Sequence, residues 1–299
     1  MEEPSMAIYV RVLETPEEMQ LVEELQRAVW PGSETDIVPL HLLVTEASNG
    51  GLVLGAFDDE QIVGFVHGFP GILKTDAGIQ VKHCSHQLGV HPDYRNRGVG
   101  FSLKRAQWQI VRHQGLDLIT WTYDPLESRN AHLNIHKLGA VAHLYKRAVY
   151  GSMRDALNSG LSSDRLQVEL WVNSARVRKR LGAAPRRQLD ISQYFSAGAK
   201  LLNPTEVEAQ GHPVPPELEE PLPFEDTGSH PFLLMEIPAF FQQLKLSDQE
   251  LAGKWRVQTR DLFENLFKAG YMVTDFAHTP GEHPRSFYVL SYGGSTLGG

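Results

Sequence analysis

The spacing of apolar residues predicts a series of short strands and helices through the first 172 positions. Residues 8–13 alternate between apolar and polar side chains, as in a half-buried strand, and Thr15 and Pro16 are typical of the start of a helix that runs to about residue 29. The same patterns predict further helices at 39–47, 98–114 and 126–137 and strands at 52–57, 62–69, 79–90, 116–123, 141–145 and 166–172. The predicted order is β, α, α, β, β, β, α, β, α, β, β.

The second half begins with a stretch that is crowded with proline and acidic residues. No Lys or Arg occurs between Lys200 and Lys245. Such a stretch buries little apolar surface, so we predict an extended connector at 186–230 between a domain at 1–185 and a smaller α/β unit at 231–299. That last unit is predicted to hold strands at 232–237, 271–277 and 285–292 and a helix at 247–268 that is capped by Ser247.

Composition and charge narrow the class of protein. With 28 Lys and Arg against 36 Asp and Glu, the chain carries a formal charge of −8, which argues against nucleic acid as a partner. Cys84 is the single cysteine, so an internal disulfide and a thiolate metal cluster are excluded and a reducing cytoplasm is expected. No run of ~18 apolar residues occurs. We therefore expect a cytoplasmic protein with no metal centre and no membrane partner.

The most specific local pattern is an R-x-x-G-x-G segment between a predicted strand and a predicted helix. Its glycines let the backbone turn so that N–H groups converge, and the helix N-terminus adds partial positive charge. Such a turn binds a pyrophosphate without a metal. A dinucleotide-binding fold is disfavoured, because position 103 is Leu where that fingerprint needs a third glycine. The segment consists of Arg95, Asn96, Arg97, Gly98, Val99 and Gly100.

This segment, the preceding strand from Ser85 to Val90 and the intervening His91-Pro92-Asp93-Tyr94 resemble, in that order, the signature of the GNAT superfamily of acyl-CoA N-acyltransferases. The resemblance covers roughly residues 8–172 and implies an α/β fold with a mixed, mostly antiparallel central sheet flanked by helices. It implies that the R-x-x-G-x-G residues hold the pyrophosphate of coenzyme A. It also implies that the pantetheine arm pairs, where two strands splay apart, with the backbone of Leu88, Gly89 and Val90.

Catalysis in such a site needs a group that removes a proton from the amine. His86 lies two residues before Leu88, in a place similar to that of a catalytic histidine in another member of the family. An imidazole titrates near neutral pH and suits this role, and the alternative is a histidine that only packs or hydrogen-bonds. Cys84 is interpreted as a small buried apolar residue rather than a nucleophile.

The helix predicted at 126–137 departs from the family pattern in its proton donor. The family usually has a tyrosine four residues before the glycine of a Leu-Gly end, and that position is Ile135 in this chain. We expect Tyr145 to replace this tyrosine from a neighbouring strand, with Tyr123 as an alternative. A further alternative is that the thiolate leaves without assistance.

Two pairs of polar residues on predicted helices are candidate ligand contacts. Asn130 and Asn134 are spaced i and i+4, so they are expected to share a face and to reach the acyl chain or the pantetheine amides, unless they are surface residues. Arg256 and Arg260 are also one helical turn apart, and two guanidinium groups on one face suit a carboxylate or dicarboxylate. Structural ion pairs are the alternative for the two arginines.

The long form of the chain, in segments 124–139, 236–238 and 255–260, is similar to acyltransferases found beside N-acylamino acid racemases, which N-succinylate amino acids. We therefore predict an acyl-CoA-dependent N-acyltransferase that moves an acetyl or succinyl group from acetyl-CoA or succinyl-CoA to the amine of a small molecule, such as an amino acid. Two alternatives stay open: a non-catalytic acyl-CoA-binding sensor, which the residue at 135 favours, and a protein N-acetyltransferase. The C-terminal unit is expected to extend or cap the first sheet or to mediate a homodimer.

Overall fold

The computed structural model describes residues 8–32, 34–151, 160–182, 189–208, 211–217 and 232–293. The predicted connector falls partly outside these residues, at 186–188, 209–210 and 218–230. The described chain packs into two compact units. The first unit comprises residues 8–121 and 171–173, and the second comprises the described residues of 122–151, 160–170 and 174–293.

The first unit is built on five strands, of which the fifth runs on into the second unit. The strands lie in the order β1-β2-β3-β4-β5, and neighbours are antiparallel except for the parallel pair β4–β5. Its elements are β1 Tyr9–Val12, α1 Pro16–Val29, α2 Leu40–Ser48, β2 Leu52–Asp58, β3 Gln61–Thr75, β4 Gly78–Val90, α3 Val99–His113 and β5 Leu118–Tyr123.

Local chemistry explains where the first helix begins. The Thr15 side chain accepts a hydrogen bond from the Glu18 N–H, and the Glu18 carboxylate accepts one from the Thr15 N–H, so α1 starts with a capping box. The apolar face of α1 then packs with α2 and the inner strands around Met19, Leu43 and Phe65, all fully buried. The predicted helix start is confirmed.

The second unit holds a sheet of its own strands in the order β7-β6-β12-β13-β11-β8. Neighbours are antiparallel except for the short parallel pair β11–β8. The elements are α4 Ser128–Ala131 with a π-helix His132–Lys137, β6 Val141–Lys146, β7 Arg165–Trp171, α5 Ala175–Leu181, α6 Ile191–Ser196, β8 Lys200–Leu201, β9 Glu206–Val207, β10 Pro213–Val214, β11 Leu233–Pro238, α7 Phe241–Ser247, α8 Gln249–Lys268, β12 Tyr271–Thr279 and β13 Arg285–Tyr292.

The predicted fold class is confirmed: the protein is α/β, with mostly antiparallel sheet flanked by helices. The predicted order of the first eleven elements, from β1 to β7, is also the observed order. The three predicted domains, with boundaries at 185, 186–230 and 231, concern which segments fold by themselves and stay a prediction. No helix within the described residues combines the length and apolar character that crossing a membrane requires.

Two local predictions were wrong. The long C-terminal helix is capped by Asp248, whose carboxylate accepts the Leu251 N–H at 2.8 Å, because Ser247 belongs to the preceding helix α7 and bonds back to its carbonyls. The helix predicted at 126–137 is not a continuous α-helix, since its α-helical turn passes into a π-helix between Asn130 and Asn134. The role of these two asparagines as cofactor contacts stays a prediction. Asn130 is exposed and Asn134 is buried.

Candidate active site

The sheet of the first unit contains an irregularity at His86. In the β3–β4 pairing, His67 lies opposite Gln87 and Gly68 lies opposite Ser85, so His86 is an extra residue of β4 with no partner on β3. This is a β-bulge, which bends the strand and re-aims the side chain at that point. The candidate base therefore lies at a built-in distortion of the strand.

Beside the bulge, β4 parts from its other neighbour. The parallel pairing of β4 with β5 consists of His83 with Ile119 and Cys84 with Thr120. In the pairing that the structure describes, the β5-side edge of residues 88–90 therefore has no strand partner, and Arg95 Nε donates to the Val90 carbonyl at 3.4 Å. A free strand edge offers backbone N–H and C=O groups to an extended ligand. This edge fits the amides of a pantetheine arm, and the role of Leu88, Gly89 and Val90 as its partners stays a prediction.

Close packing accounts for the glycine opposite the bulge. A Cβ at Gly68 would lie 2.4 Å from the Cys84 carbonyl oxygen, so a side chain there would push β3 and β4 apart. Gly89 is explained in the same way, because a Cβ would meet the ring of Phe65, its cross-strand partner, at 2.4 Å. Gly89 is thus required by the fold whether or not a ligand binds.

The R-x-x-G-x-G segment forms the turn that the sequence predicts. Asn96 and Gly98 have left-handed backbone angles, with φ of 66° and 83°, and Gly98 precedes the first residue of α3. Apart from Gly98 and its chain neighbours, no atom of the described residues lies within 4 Å of the place a Gly98 Cβ would occupy, so internal packing does not explain this glycine. A turn with open space before a helix N-terminus fits a phosphate group. The assignment of this segment to coenzyme A stays a prediction.

The two arginines of this segment are exposed and lie close to the turn. The Arg97 guanidinium stacks 5.0 Å from the ring centre of Tyr94, whose hydroxyl donates to Asp58 at 2.9 Å. Arg95 approaches the Val90 carbonyl with its Nε at 3.4 Å. Neither guanidinium has a carboxylate within ion-pair distance among the described residues. Both suit an anionic ligand.

His86 is exposed, with aromatic neighbours on one side. Its ring lies edge-on to His67, with ring centres 5.2 Å apart, and 6.1 Å from Phe69. Burial against these groups and the charge of His67 lower the pKa of His86 below its usual value. The imidazole is therefore neutral at neutral pH, the state that can accept a proton from an amine.

Behind His86 lies a buried pair that the sequence analysis missed. His67 is fully buried, and its Nδ1 lies 2.7 Å from the Glu46 carboxylate, while its Nε2 lies 3.3 Å from Gln87 Oε1. A carboxylate on one ring nitrogen fixes the orientation of an imidazole. The sequence does contain a signal for this pair, namely a titratable residue at a position where the apolar pattern predicts a buried side chain. Both Glu46 and His67 occupy such positions.

A second missed feature is a buried lysine on α3. Lys104 donates to Ser85 Oγ at 2.7 Å and to Gln107 Oε1 at 3.2 Å, and its Nζ lies 3.9 Å from the ring centre of Trp121. Gln107 in turn bonds His83. Burial lowers the pKa of Lys104 to about 7. Burial and the charge of Lys104 lower the pKa of His83 to about 3.

In the second unit, the position at which the family usually has a tyrosine is occupied by a buried isoleucine. Ile135 is fully buried within the π-helix, which replaces the predicted continuous α-helix. Arg180 Nη1 donates to the Ile135 and His136 carbonyls, and the helix ends at Gly139 with φ of 83°. π-Helical segments are frequent at functional sites, although here the residue at the family position carries no proton.

The expected substitute donor, Tyr145, is already engaged. Its hydroxyl donates to the Asp164 carboxylate at 2.9 Å. Burial and the charge of Asp164 raise the pKa of Tyr145 above its usual value, which makes proton donation harder. The alternative, Tyr123, is fully buried against Tyr288, and burial raises its pKa as well. The catalytic role of Tyr145 stays a prediction.

Arg256 and Arg260 are paired with carboxylates of the same unit. Arg256 donates two hydrogen bonds to Asp124, at 2.8 and 2.5 Å, and Arg260 binds Asp164 at 2.8 Å. Burial opposes the charge of Arg256, but Asp124 more than offsets it and raises the pKa of Arg256 above its usual value. The ion-pair alternative therefore has observed partners, Asp124 and Asp164. A substrate role for the two arginines stays a prediction.

Comparison with known proteins finds a family model that matches part of the chain. Residues 49–148 match the model of the acetyltransferase (GNAT) domain. No functionally curated protein matches the sequence.

Three solved structures illustrate the likeness in fold, each with a TM-score of 0.44. A protein from Desulfovibrio desulfuricans assigned to the GNAT family of acetyltransferases is 19% identical and covers 56% of this chain and 99% of its own. The ribosomal-protein-S18-alanine N-acetyltransferase of Escherichia coli is 13% identical and covers 60% and 100%. The acetyltransferase yncA of Salmonella typhimurium, solved with its cofactor acetyl-CoA, is 16% identical and covers 61% and 99%.

The matched segment contains the bulged strand β4, the R-x-x-G-x-G turn and helix α3. Residues 49–148 are therefore similar to an acetyltransferase domain of the GNAT family.

Proposed function

We propose that the protein is an acyl-CoA-dependent N-acyltransferase whose acceptor is the amine of a small molecule. The observation that carries this proposal is the combination, within one unit, of the bulge at His86, the edge of residues 88–90 that has no strand partner, and the open turn at Gly98 before α3. These features follow one another along β4 and into α3, so one extended ligand with a pyrophosphate at one end matches them in order.

His86 is the proposed base. The reaction forms a carbon–nitrogen bond as the thioester carbon–sulfur bond breaks, and the amine must lose a proton to attack. The neutral His86 ring is exposed, lies at the bulge and is oriented by His67, which Glu46 holds in turn. We assign His67 and Glu46 as positioning residues.

The acyl group is proposed to be acetyl, with succinyl as the second candidate. A succinyl carboxylate needs a cationic partner, and the arginines expected to supply it, Arg256 and Arg260, each bind a protein carboxylate. A ligand carboxylate would have to displace Asp124 or Asp164 from hydrogen-bonded pairs. An acetyl group needs no such exchange.

A non-catalytic acyl-CoA sensor is the second candidate function, and a specific observation favours it. Ile135 stands where the family usually has its proton-donating tyrosine, and it is fully buried. Binding of coenzyme A without turnover is what this alternative predicts. A protein N-acetyltransferase is the third candidate and differs in accepting a peptide.

One assay separates these functions. Purified protein is mixed with acetyl-CoA or with succinyl-CoA and offered pooled L- and D-amino acids, aliphatic polyamines or a lysine-rich peptide, and released thiol is measured. We expect thiol release with acetyl-CoA and one small-molecule pool. Release with the peptide alone would support the protein acetyltransferase, and binding of coenzyme A without release from any mixture would support the sensor.

A further inference from the structure

The first unit buries an amine at the point where two strands part. Ser85 is the first residue of β4 after its last pair with β5, and Trp121 is the first residue of β5 after the same pair. Lys104 Nζ contacts both, with 2.7 Å to Ser85 Oγ and 3.9 Å to the ring centre of Trp121. The Lys104 ammonium group therefore lies at the apex of the opening between β4 and β5, the point at which their pairing ends.

Within the part of the chain that the structure describes, no carboxylate forms an ion pair with this ammonium group. The polar partners of Lys104 among the described residues are the Ser85 hydroxyl and the Gln107 carbonyl, and the indole of Trp121 contributes a cation–π contact. The nearby titratable group is His83 on β4, which is neutral and linked through Gln107. Burying a cation without a counter-charge is costly, so a purely structural site would favour an apolar residue of the same size.

The direction of the strand places the reactive end of a bound thioester at this apex. Under the proposed function, the pyrophosphate lies at Gly98 and the pantetheine arm runs back along Val90 and Leu88. The next residues in that direction are His86 and Ser85. A developing thiolate there would supply the negative charge that Lys104 lacks.

We propose that Lys104, acting through the hydroxyl of Ser85, provides the proton for the coenzyme A sulfur as the thioester bond breaks. This inference rests on the proposed function and deepens it. His86 takes a proton from the attacking amine and releases it to solvent, Ser85 Oγ passes its proton to the sulfur, and Lys104 Nζ reprotonates Ser85 and takes a proton back from solvent. The amine thus loses one proton and the sulfur gains one.

Two further observations support this role. The usual family donor is replaced by Ile135, so the reaction needs a donor elsewhere. Burial lowers the pKa of Lys104 to about 7, so this ammonium group gives up its proton more readily than an ordinary lysine, whose pKa is ~10.4.

The test is a titration of the bound coenzyme A thiol, followed by the ultraviolet absorbance of the thiolate. It compares the native protein with Lys104→Met, Ser85→Ala and the control Lys82→Met, which removes a β4 lysine that lies outside this network. Coenzyme A lacking its sulfur provides the baseline. We expect the native protein to lower the pKa of the thiol and Lys104→Met to raise it again by ~1–3 units, because a nearby opposite charge is lost. Lys82→Met should leave it unchanged.

Ser85→Ala keeps the ammonium group and removes the hydroxyl that would donate a hydrogen bond to the thiolate, so it is also expected to raise the thiol pKa. It gives a second test if Lys104→Met does not fold. Equal thiol pKa values in native protein, Lys104→Met and Ser85→Ala, with coenzyme A bound to each, would overturn the Lys104 role and leave the proposed function intact. Failure of the native protein to bind coenzyme A at all would overturn the proposed function and this inference with it.

Discussion

The two units treat buried positive charge in opposite ways. In the second unit, Arg256 and Arg260 each bind a carboxylate, and Asp164 also accepts hydrogen bonds from Tyr145 and Ser162. Although burial opposes its ionisation, these bonds lower the pKa of Asp164 below its usual value. In the first unit, the buried Lys104 ammonium group contacts the Ser85 hydroxyl, the Gln107 side-chain amide and the Trp121 indole.

This difference separates charges that are paired within the protein from a charge that could bind an anionic ligand. In a buried ion pair the two charges compensate each other, so removing one partner destabilises the protein, and the pair itself is little evidence of a ligand site. A buried cation without a carboxylate is uncompensated, and an anionic ligand gains from binding beside it. The four predictions below test this distinction, from the largest expected effect to the smallest.

Breaking the ion pair between Arg256 and Asp124 is expected to have the largest effect, a loss of folding stability. Arg256→Met leaves the Asp124 carboxylate partly buried without its bidentate partner, so the free energy of unfolding should fall by ~3–5 kcal/mol. The measurement is urea unfolding at neutral pH. Lys254→Met is the matched control on the same helix, since its pair with Glu250 is exposed, and it should change stability by less than ~0.5 kcal/mol. Equal losses in the two variants would contradict the paired-charge description.

Removing the proposed base is expected to affect activity rather than stability. His86→Ala should lower kcat/KM by ~100-fold, because a general base typically contributes at least that much. Since the pKa of His86 is lowered, the native rate should fall as pH drops below ~6.5, and this limb should vanish in the variant. His113→Ala, an exposed histidine near the end of α3, is the control. A native-like pH profile in His86→Ala would remove His86 as the base.

The unpaired lysine predicts a pH dependence of stability. In the unfolded chain Lys104 holds its proton up to ~10.4, whereas in the folded protein its pKa is lowered to about 7. Between these values the unfolded state binds more protons, so native stability should rise with pH. Relative to Lys104→Met, the native protein should gain about 2 kcal/mol between about pH 7 and 9 in urea unfolding. If stability changed with pH in the same way in the two proteins, folding would not lower the pKa of Lys104, contrary to this prediction.

The smallest expected effect concerns the turn at Gly98 that is proposed to bind phosphate. Gly98→Val places a β-branched residue at a left-handed backbone angle and blocks close approach to the turn, so coenzyme A should bind ~10-fold more weakly in calorimetry. Gly115→Val is the control, because Gly115 has a similar φ of 77° and equally open space around its Cβ, at the other end of α3. An equal loss of affinity in both variants would mean that backbone strain, not the turn itself, weakens binding.

The sequence by itself determined the order of the first eleven elements, the start of α1 at Thr15, the turn at Gly98 and the resemblance to the GNAT family. These features are local, since helix caps, strand alternation and glycine turns are set by residues a few positions apart. The candidate base was also found this way, because His86 is placed by its offset from Leu88 on one strand.

The tertiary structure alone decided which polar residues meet. Glu46 and His67 are 21 positions apart, and Arg256 and Asp124 are 132 apart, so no local pattern reveals either pair. The bulge at His86 depends on the register of two strands, and the site of Lys104 depends on where β4 and β5 part. Long-range burial and pairing set the charge state of these groups, because the cost of a charge depends on everything packed around it rather than on its neighbours in sequence.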